Sequence, residues 1–252
     1  MRFDLNFKSE DHLKLYLKIL GLPQEAPSLD YLNRLIHAHQ HQIPFETHTR
    51  IADYSDYLDH LSPVPVYIER LELGAGGVCW TLARGFHWLL KNLGFDTRYY
   101  YMDPGHVCVV VKLPEGDFYA DVGYAVPFFK AKPLMQSFIA TSAMEVFKYE
   151  VKGDKIIVTR TPGPTKTLIL RPQTPAEINA FFEKLNDPNT SKFLQQTTIS
   201  KFINKKILRL TGDKLMGDGP EKTIPQDEIE DLLITKFRIH PSFYLRARDK
   251  MK

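Results

Sequence analysis

The 252-residue sequence contains only two cysteines, Cys79 and Cys108. Two thiols in so long a chain do not make a disulfide framework, so the expectation is a reduced, cytoplasmic protein with free thiols. Long apolar runs are also missing: none approaches the roughly 18–20 residues of a membrane-spanning helix. The start, "MRFDLNFKSED", turns polar and acidic within a few residues, unlike a secretory signal. Nor is there an excess of one charge, since 33 Lys and Arg against 30 Asp and Glu leave a formal net charge of +3. The one internal basic cluster, "NKKILRL" (204–210), reads as a solvated helix or strand edge, and nothing demands nucleic acid. Internal repeats and low-complexity tracts are absent. What remains, 43% hydrophobic and 25% charged, is the composition of a soluble globular protein. The chain is long enough for a large core and for two or three subdomains.

The first 95 residues carry helical periodicity. "SEDHLKLYLKILGL" has a Ser9 N-cap, Leu13, Leu17 and Leu20 on one face, and a stop at Gly21. "SLDYLNRLIHAHQHQI" repeats the pattern with Leu29, Leu32, Leu35 and Ile36. A third helix follows Cys79, with Leu82, Phe86, Leu89, Leu90 and Leu93, and ends at Gly94. From residue 96 the period falls to two. "DTRYYYM", "HVCVVVKL", "DFYADVGYAV", "AMEVFKYEVKG", "KIIVTRT" and "TKTLILRP" read as strands of an antiparallel sheet or barrel. After Pro175 come a helix ("AEINAFFEKL"), strands around a "TGDK" turn and a terminal helix ("PQDEIEDLLITKFRI"). The expected division is 1–95 helical, 96–175 antiparallel β and 176–252 mixed.

"GAGGVCW" (74–80) places Cys79 behind Gly76 and Gly77 and at the head of a helix. Glycines permit sharp turns and close backbone approach. Free N–H groups and the positive end of the helix dipole favour a thiolate there and can supply donors to an oxyanion. A nucleophilic thiolate further needs a base, and the base an orienting carboxylate. The hairpin "HVCVVVKLPEGDFYADVGY" offers both. If Pro114 pairs with Asp117, Val107, Val109, Val111 and Leu113 share an apolar face with Phe118, Ala120 and Val122. The opposite face carries His106, Cys108, Tyr119 and Asp121. In that register His106 and Asp121 lie about 13 Å apart at roughly 3.3 Å per residue, so only a slip, bulge or strong twist would join them. On spacing alone a packed structural cysteine and a capping histidine remain open readings.

The pieces together resemble the arylamine N-acetyltransferase family: "HAHQHQIPFE", "GGVC" followed by a helix, "GHVCVVVKL", "ADVGY", and later "TSKFLQQTTISKF", "LRLTGDKLM" and "EIEDLLITKFRI". The resemblance runs over most of the chain. It implies an α+β, cysteine-protease-like fold with an N-terminal helical bundle, a central antiparallel β-barrel and a C-terminal α/β lid. It implies an acyltransferase that moves an acetyl group from acetyl-coenzyme A through a cysteine thioester to an arylamine, hydrazine or arylhydroxylamine by ping-pong kinetics, without a metal. By position Cys79 would be the acylated nucleophile, His106 the base and Asp121 its orienter. Phe45, Tyr124 and Phe128 would line the acceptor pocket, and backbone amides near Gly123 and Ala125 would meet the coenzyme A diphosphate.

The sequence departs from the family at several places. Ala75 replaces the arginine of Arg-Gly-Gly, which leaves Glu46 without its usual cation. Glu46 is therefore expected to be solvated or to be paired with Arg50 or Arg84. Thr81 replaces Glu or Gln, Ala83 replaces Asn, and Val126 stands where some relatives are basic, which suggests a more apolar acceptor. The interval from Cys79 to His106 is short, which suggests an opened cleft. These changes leave room for two alternatives: the same triad used for another acyl transfer, amide synthesis or hydrolysis, or an idle ligand-binding relative. A metal reading of "HAHQH" (37–41) has little support, since only His37 and His41 share a helix face and no acidic or cysteine partner stands at ligand spacing. The "TGDKLMGDG" loop lacks a phosphate-loop pattern.

Overall fold

Ser9 and Ser28 open the first two helices as their sequences demand, each with an extended backbone and a side-chain oxygen accepting the N–H three residues on, from His12 and Tyr31. The structure, a computed structural model, describes residues 7–57, 61–124, 128–141, 144–203, 206–217 and 219–251. The N-terminal part contains α1 (Glu10–Leu20), α2 (Leu29–Gln42), a two-residue strand β1 (Phe45–Glu46), α3 (His48–Asp53), α4 (Val64–Leu71) and α5 (Cys79–Asn92). Leu13, Leu17, Leu32, Leu35, Ile36 and the α5 residues Leu82, Phe86, Leu89 and Leu90 form one buried cluster. Each such side chain removed from water contributes roughly 1.5–3 kcal/mol, which holds α5 rigidly behind its first residue.

Strands β2 (Asp96–Asp103), β3 (His106–Leu113), β4 (Gly116–Ala120), β5 (Lys132–Pro133), β6 (Phe138–Thr141), β7 (Val146–Lys152), β8 (Lys155–Thr161) and β9 (Thr165–Leu168) form an antiparallel sheet in the order β5-β4-β3-β2-β9-β8-β7-β6. The sheet curls into a half-barrel. Its outer strands, β5 and β6, do not pair with each other, so the expected barrel is open. One face of β3 and β4, with Val107, Val109, Val111, Phe118 and Ala120, joins the helical core. The other face, with Cys108, Val110 and Tyr119, packs with Phe147, Tyr149, Ile156 and Val158 inside the curl. This is the face division that period two requires.

The remainder comprises α6 (Pro175–Lys184), α7 (Lys192–Gln195), β10 (Thr198–Ile203), β11 (Lys206–Thr211), β12 (Lys214–Met216), β13 (Lys222–Thr223), α8 (Ile229–Leu232), which runs on as a π-turn over Leu233–Phe237, and α9 (Ser242–Lys250). Strand β1 pairs with β10, Phe45 opposite Ser200, and so joins a five-stranded sheet β1-β10-β11-β12-β13. That pairing carries the Pro44–Glu46 segment across from the helical part. We keep the division at residues 95 and 175 as a proposal, with β1 reaching across it.

Candidate active site

Cys79 is the first residue of α5, behind an extended Val78 that makes no side-chain cap bond. The N–H groups of that first turn have no intrahelical acceptor and are directed at the sulfur's end of the helix. Cys79 and Cys108 are both unbridged and buried. Gly76 is required by close approach: a Cβ there would lie 1.9 Å from the Pro44 carbonyl oxygen.

The β3–β4 hairpin turns one residue earlier than the Pro114–Asp117 pairing assumed. Leu113 pairs with Gly116 and Val109 with Ala120, leaving Pro114 and Glu115 as the loop. A proline has no N–H for the ladder, and Gly116 takes the φ of 134° that the tight turn needs. The register thus moves by two, which keeps every side chain on its face. Extended along the ladder, it sets Asp121 opposite Cys108, about 7 Å from His106 by strand rise. The strand ends at Ala120, and Asp121 closes the remaining distance: His106 Nε2 lies 2.7 Å from Asp121 Oδ2. Asp121 Oδ1 accepts the Gly123 amide at 2.7 Å, and the Tyr119 hydroxyl donates to Oδ2. Gln40 of α2 donates to the carbonyls of Asp121 and Tyr124 at 3.4 and 3.3 Å, tying this loop to the helices.

With Nε2 engaged by the carboxylate, Nδ1 of His106 is the nitrogen that remains for the sulfur, and Cys79 stands near enough for its charge to act on the ring. Burial by itself would depress the imidazole, yet the charges of Asp121 and Cys79 and the hydrogen bond to Asp121 raise it to about 9. Gly123 separates these groups: a Cβ on it would come within 2.8 Å of Cys79 Cβ and 3.1 Å of His106 Cε1. Tyr124 stacks on His106, with ring centroids 3.9 Å apart and planes at 16°.

The group opens into a cavity of about 790 Å³, a volume typical of small-molecule sites. Phe45, Tyr124 and Gly123 line it, as do Trp80, Phe182 and Phe193. Phe128 does not. It lies inside the half-barrel, edge-on to Phe147 at 4.3 Å, because its apolar ring completes that core. The Gly123 amide is engaged by Asp121 rather than open to a diphosphate. Ala125 and Val126 lie outside the described residues. Periodicity missed Trp80, Arg160, Lys166 and Arg209, which line the cavity from elements distant in sequence. The one signal for Trp80 was its place beside the cysteine.

Glu46 is neither solvated nor held by Arg50 or Arg84. It is fully buried and accepts from Thr49 N (2.9 Å), Thr49 Oγ1 (2.6 Å) and Gly76 N (3.3 Å). Arg50 donates to Asn186 and Arg84 to the Ser62 carbonyl. Amides at the start of α3 and at Gly76 do the work expected of a cation. Burial nonetheless pushes the Glu46 carboxyl up, against those hydrogen bonds. Thr81 occupies the space left at Gly77, where a Cβ would lie 2.7 Å from its own Cβ. In "HAHQH", His39 meets the Tyr16 hydroxyl at 3.1 Å while His37 and His41 stack on each other, so the stretch serves packing, with Gln40 reaching the site. Among the described residues no three metal-capable side chains cluster and no helix is long and apolar enough to cross a membrane.

A family profile described as N-acetyltransferase matches residues 28–243. The solved arylamine N-acetyltransferase of Mycobacterium abscessus superimposes with a TM-score of 0.77 at 18% identity, covering 95% of this chain and 94% of that one. That of Mycobacterium marinum in complex with CoA gives 0.77 at 16% identity, covering 95% and 98%. Proansamycin X synthase of Amycolatopsis mediterranei is 29% identical over 138 residues, 50% of this chain and 52% of that protein, so the match spans about half the length of this curated relative. The fold is therefore α+β and cysteine-protease-like. The chain belongs to the N-acetyltransferase family, as a divergent member with the fold of the arylamine N-acetyltransferases.

Proposed function

We propose that this protein moves an acetyl group from acetyl-coenzyme A to an aromatic amine, hydrazine or arylhydroxylamine through a thioester on Cys79, in a cytoplasmic setting where both thiols stay reduced. The observation that carries the reading is a single imidazole bonded to the Asp121 carboxylate at 2.7 Å, with only Gly123 between its ring and the cysteine at the head of α5. Phe45 and Tyr124 are assigned to the acceptor ring, for which aromatic walls are suited. The acid-free lining of the cavity fits the phosphates of coenzyme A.

In the first half-reaction the Cys79 sulfur attacks the thioester carbonyl. A tetrahedral oxyanion forms where first-turn amides of α5 can reach it. Collapse breaks the bond to coenzyme A, whose thiolate takes the His106 proton. Thioester exchanges for thioester, so no nucleotide triphosphate is consumed. In the second half-reaction the amine nitrogen attacks acetyl-Cys79, its proton passes to His106, and the Cys79 thiolate leaves. Asp121 keeps the imidazole in one tautomer throughout.

Intact mass after mixing with acetyl-coenzyme A tests this. An added acetyl group that is lost in Cys79→Ala, kept on replacing Cys108, and discharged by an aromatic amine is the expected result. No adduct on Cys79 would overturn it. The partial match to a synthase favours, as a second reading, an acyl transfer or amide synthesis with a different donor or acceptor. Discharge only to water would instead mean hydrolysis.

A further inference from the structure

The cavity at Cys79 has a one-sided charge. Its described lining includes Arg50, Arg160, Lys166, Lys184, Lys192 and Arg209 and contains no Asp or Glu. Two of these cations are held by partners of their own. Arg50 meets Asn186, and Arg160 is ion-paired with the buried Glu145. Lys166 differs. It is only 9% exposed, makes one described hydrogen bond, to the Pro104 carbonyl, and has no ion pair among the described residues. An ammonium carries three donors, so with one described acceptor Lys166 can still donate to a ligand in the cavity it lines.

The position of these cations matters as much as their number. Pro104 stands two residues before His106, so Lys166 is anchored beside the base, and its charge is felt at the Cys79 sulfur. Arg160 lies 4.5 Å above the Tyr124 ring, whose other side stacks on His106. The strand register makes Lys166 and Arg160 diagonal neighbours on one face, since Val158 pairs with Lys166. From the opposite sheet Arg209 faces the same cavity, held by the Ser200 hydroxyl at 2.8 Å and, again, by no ion pair among the described residues. Two sheets thus converge cations on the cavity that Cys79 lines. The phosphates of coenzyme A, at the far end of its pantetheine arm, do not explain a buried cation at the thioester end.

Resting on the function proposed above, we infer that a molecule reacting at Cys79 carries a carboxylate, which is received by Lys166 with Arg160 and Arg209 behind it. The carboxylate belongs either to the aromatic acceptor, across the ring from its amine, or to the acyl group, as the free end of a dicarboxylic half-thioester. Charge-assisted hydrogen bonds to a desolvated ammonium give the selectivity. This inference runs against the more apolar acceptor expected from Val126, with cations supplied from β8, β9 and β11.

Two arms separate the sources. In the acceptor arm, p-nitrophenyl acetate acetylates the enzyme, which removes coenzyme A from the experiment, and 4-aminobenzoate is compared with 4-aminobenzamide. In the acyl arm, succinyl-coenzyme A is compared with acetyl-coenzyme A by the rate at which mass is added to Cys79. A preference for the carboxylated member of about tenfold or more is expected in one arm, falling to within about threefold in Lys166→Met. Each ratio compares two substrates on the same protein, so a general loss of folding cancels. Ratios near unity in both arms, or a preference that survives Lys166→Met, overturn the inference. So does a Lys166→Met variant whose defect is confined to a raised KM for acetyl-coenzyme A, since the cation would then serve the phosphates. Cys79 acylated without carboxylate preference leaves the transferase reading standing alone, whereas no acylation of Cys79 by any donor overturns both.

Discussion

Two carboxylates are buried on either side of Cys79, and they are satisfied by different means. Asp121, in the loop after β4, accepts an imidazole, a phenol hydroxyl and one amide. Glu46, the last residue of β1, accepts two amides and a threonine hydroxyl. The first set includes a group that titrates and neighbours the cysteine. The second ties the Pro44–Glu46 segment to α3 and to the glycine turn before Cys79, and moves no proton. Burial and hydrogen-bond count do not separate them. The chemistry of the donors does.

The largest expected effect tests that distinction directly. Asp121→Asn should lower acetyl transfer by about 10³–10⁴-fold by releasing the wrong histidine tautomer, while Glu46→Gln, which can still accept from Thr49, stays within about tenfold. Steady-state rates with one donor and one amine decide it, and equal losses would dissolve the contrast. A smaller effect is expected where the two regions meet the sulfur. Gly123→Ala forces a methyl against Cys79 and His106 and should cost on the order of 10²-fold in rate by misplacing them. Circular dichroism would show the fold retained.

The smallest effects lie in pH dependence. His106 is raised to about 9 in the folded protein, above its usual value near 6.5. Its contribution to stability is fully present below about pH 6.5 and is lost as pH rises through about 9. Glu46 is raised as well, by burial, so its protonated form is the one the fold favours. That contribution is present below the ordinary carboxylate range and fades as pH rises through the raised value. Glu46→Gln, neutral at every pH, should therefore gain on the wild type in Tm as pH rises from acid to neutral. His106→Gln should flatten the alkaline limb instead. Thermal melts across pH 4–10 separate the two.

Much of this was legible in local pattern. Caps at Ser9 and Ser28, the apolar stripe of α5 and the alternation along β3 and β4 all report on neighbours a few residues away, and the structure has them where the pattern does. The pattern also set His106 and Asp121 on one face. It failed on their separation, because a hairpin register depends on which residues the turn takes, and Pro114 was placed in the ladder instead of the loop. It failed again at Glu46, where the missing arginine was visible and the substitute donors, Thr49 N and Gly76 N, were not. Phe128 was assigned to the pocket by likeness, and its neighbours Phe147 and Phe138 draw it into the half-barrel.

What the sequence determined alone is what short-range chemistry encodes: which segments coil or extend, which face each presents, and that a cysteine heads a helix while a histidine and an aspartate share a strand face. Only the tertiary structure decided that these three side chains meet, that a glycine keeps them in contact, and that Lys166, Arg160 and Arg209 look into the same space. The reason is physical. Alternation and capping are fixed by backbone geometry over a few residues, whereas a cavity wall is assembled from strands more than a hundred residues apart in sequence. The charge of that wall exists only once two sheets face each other.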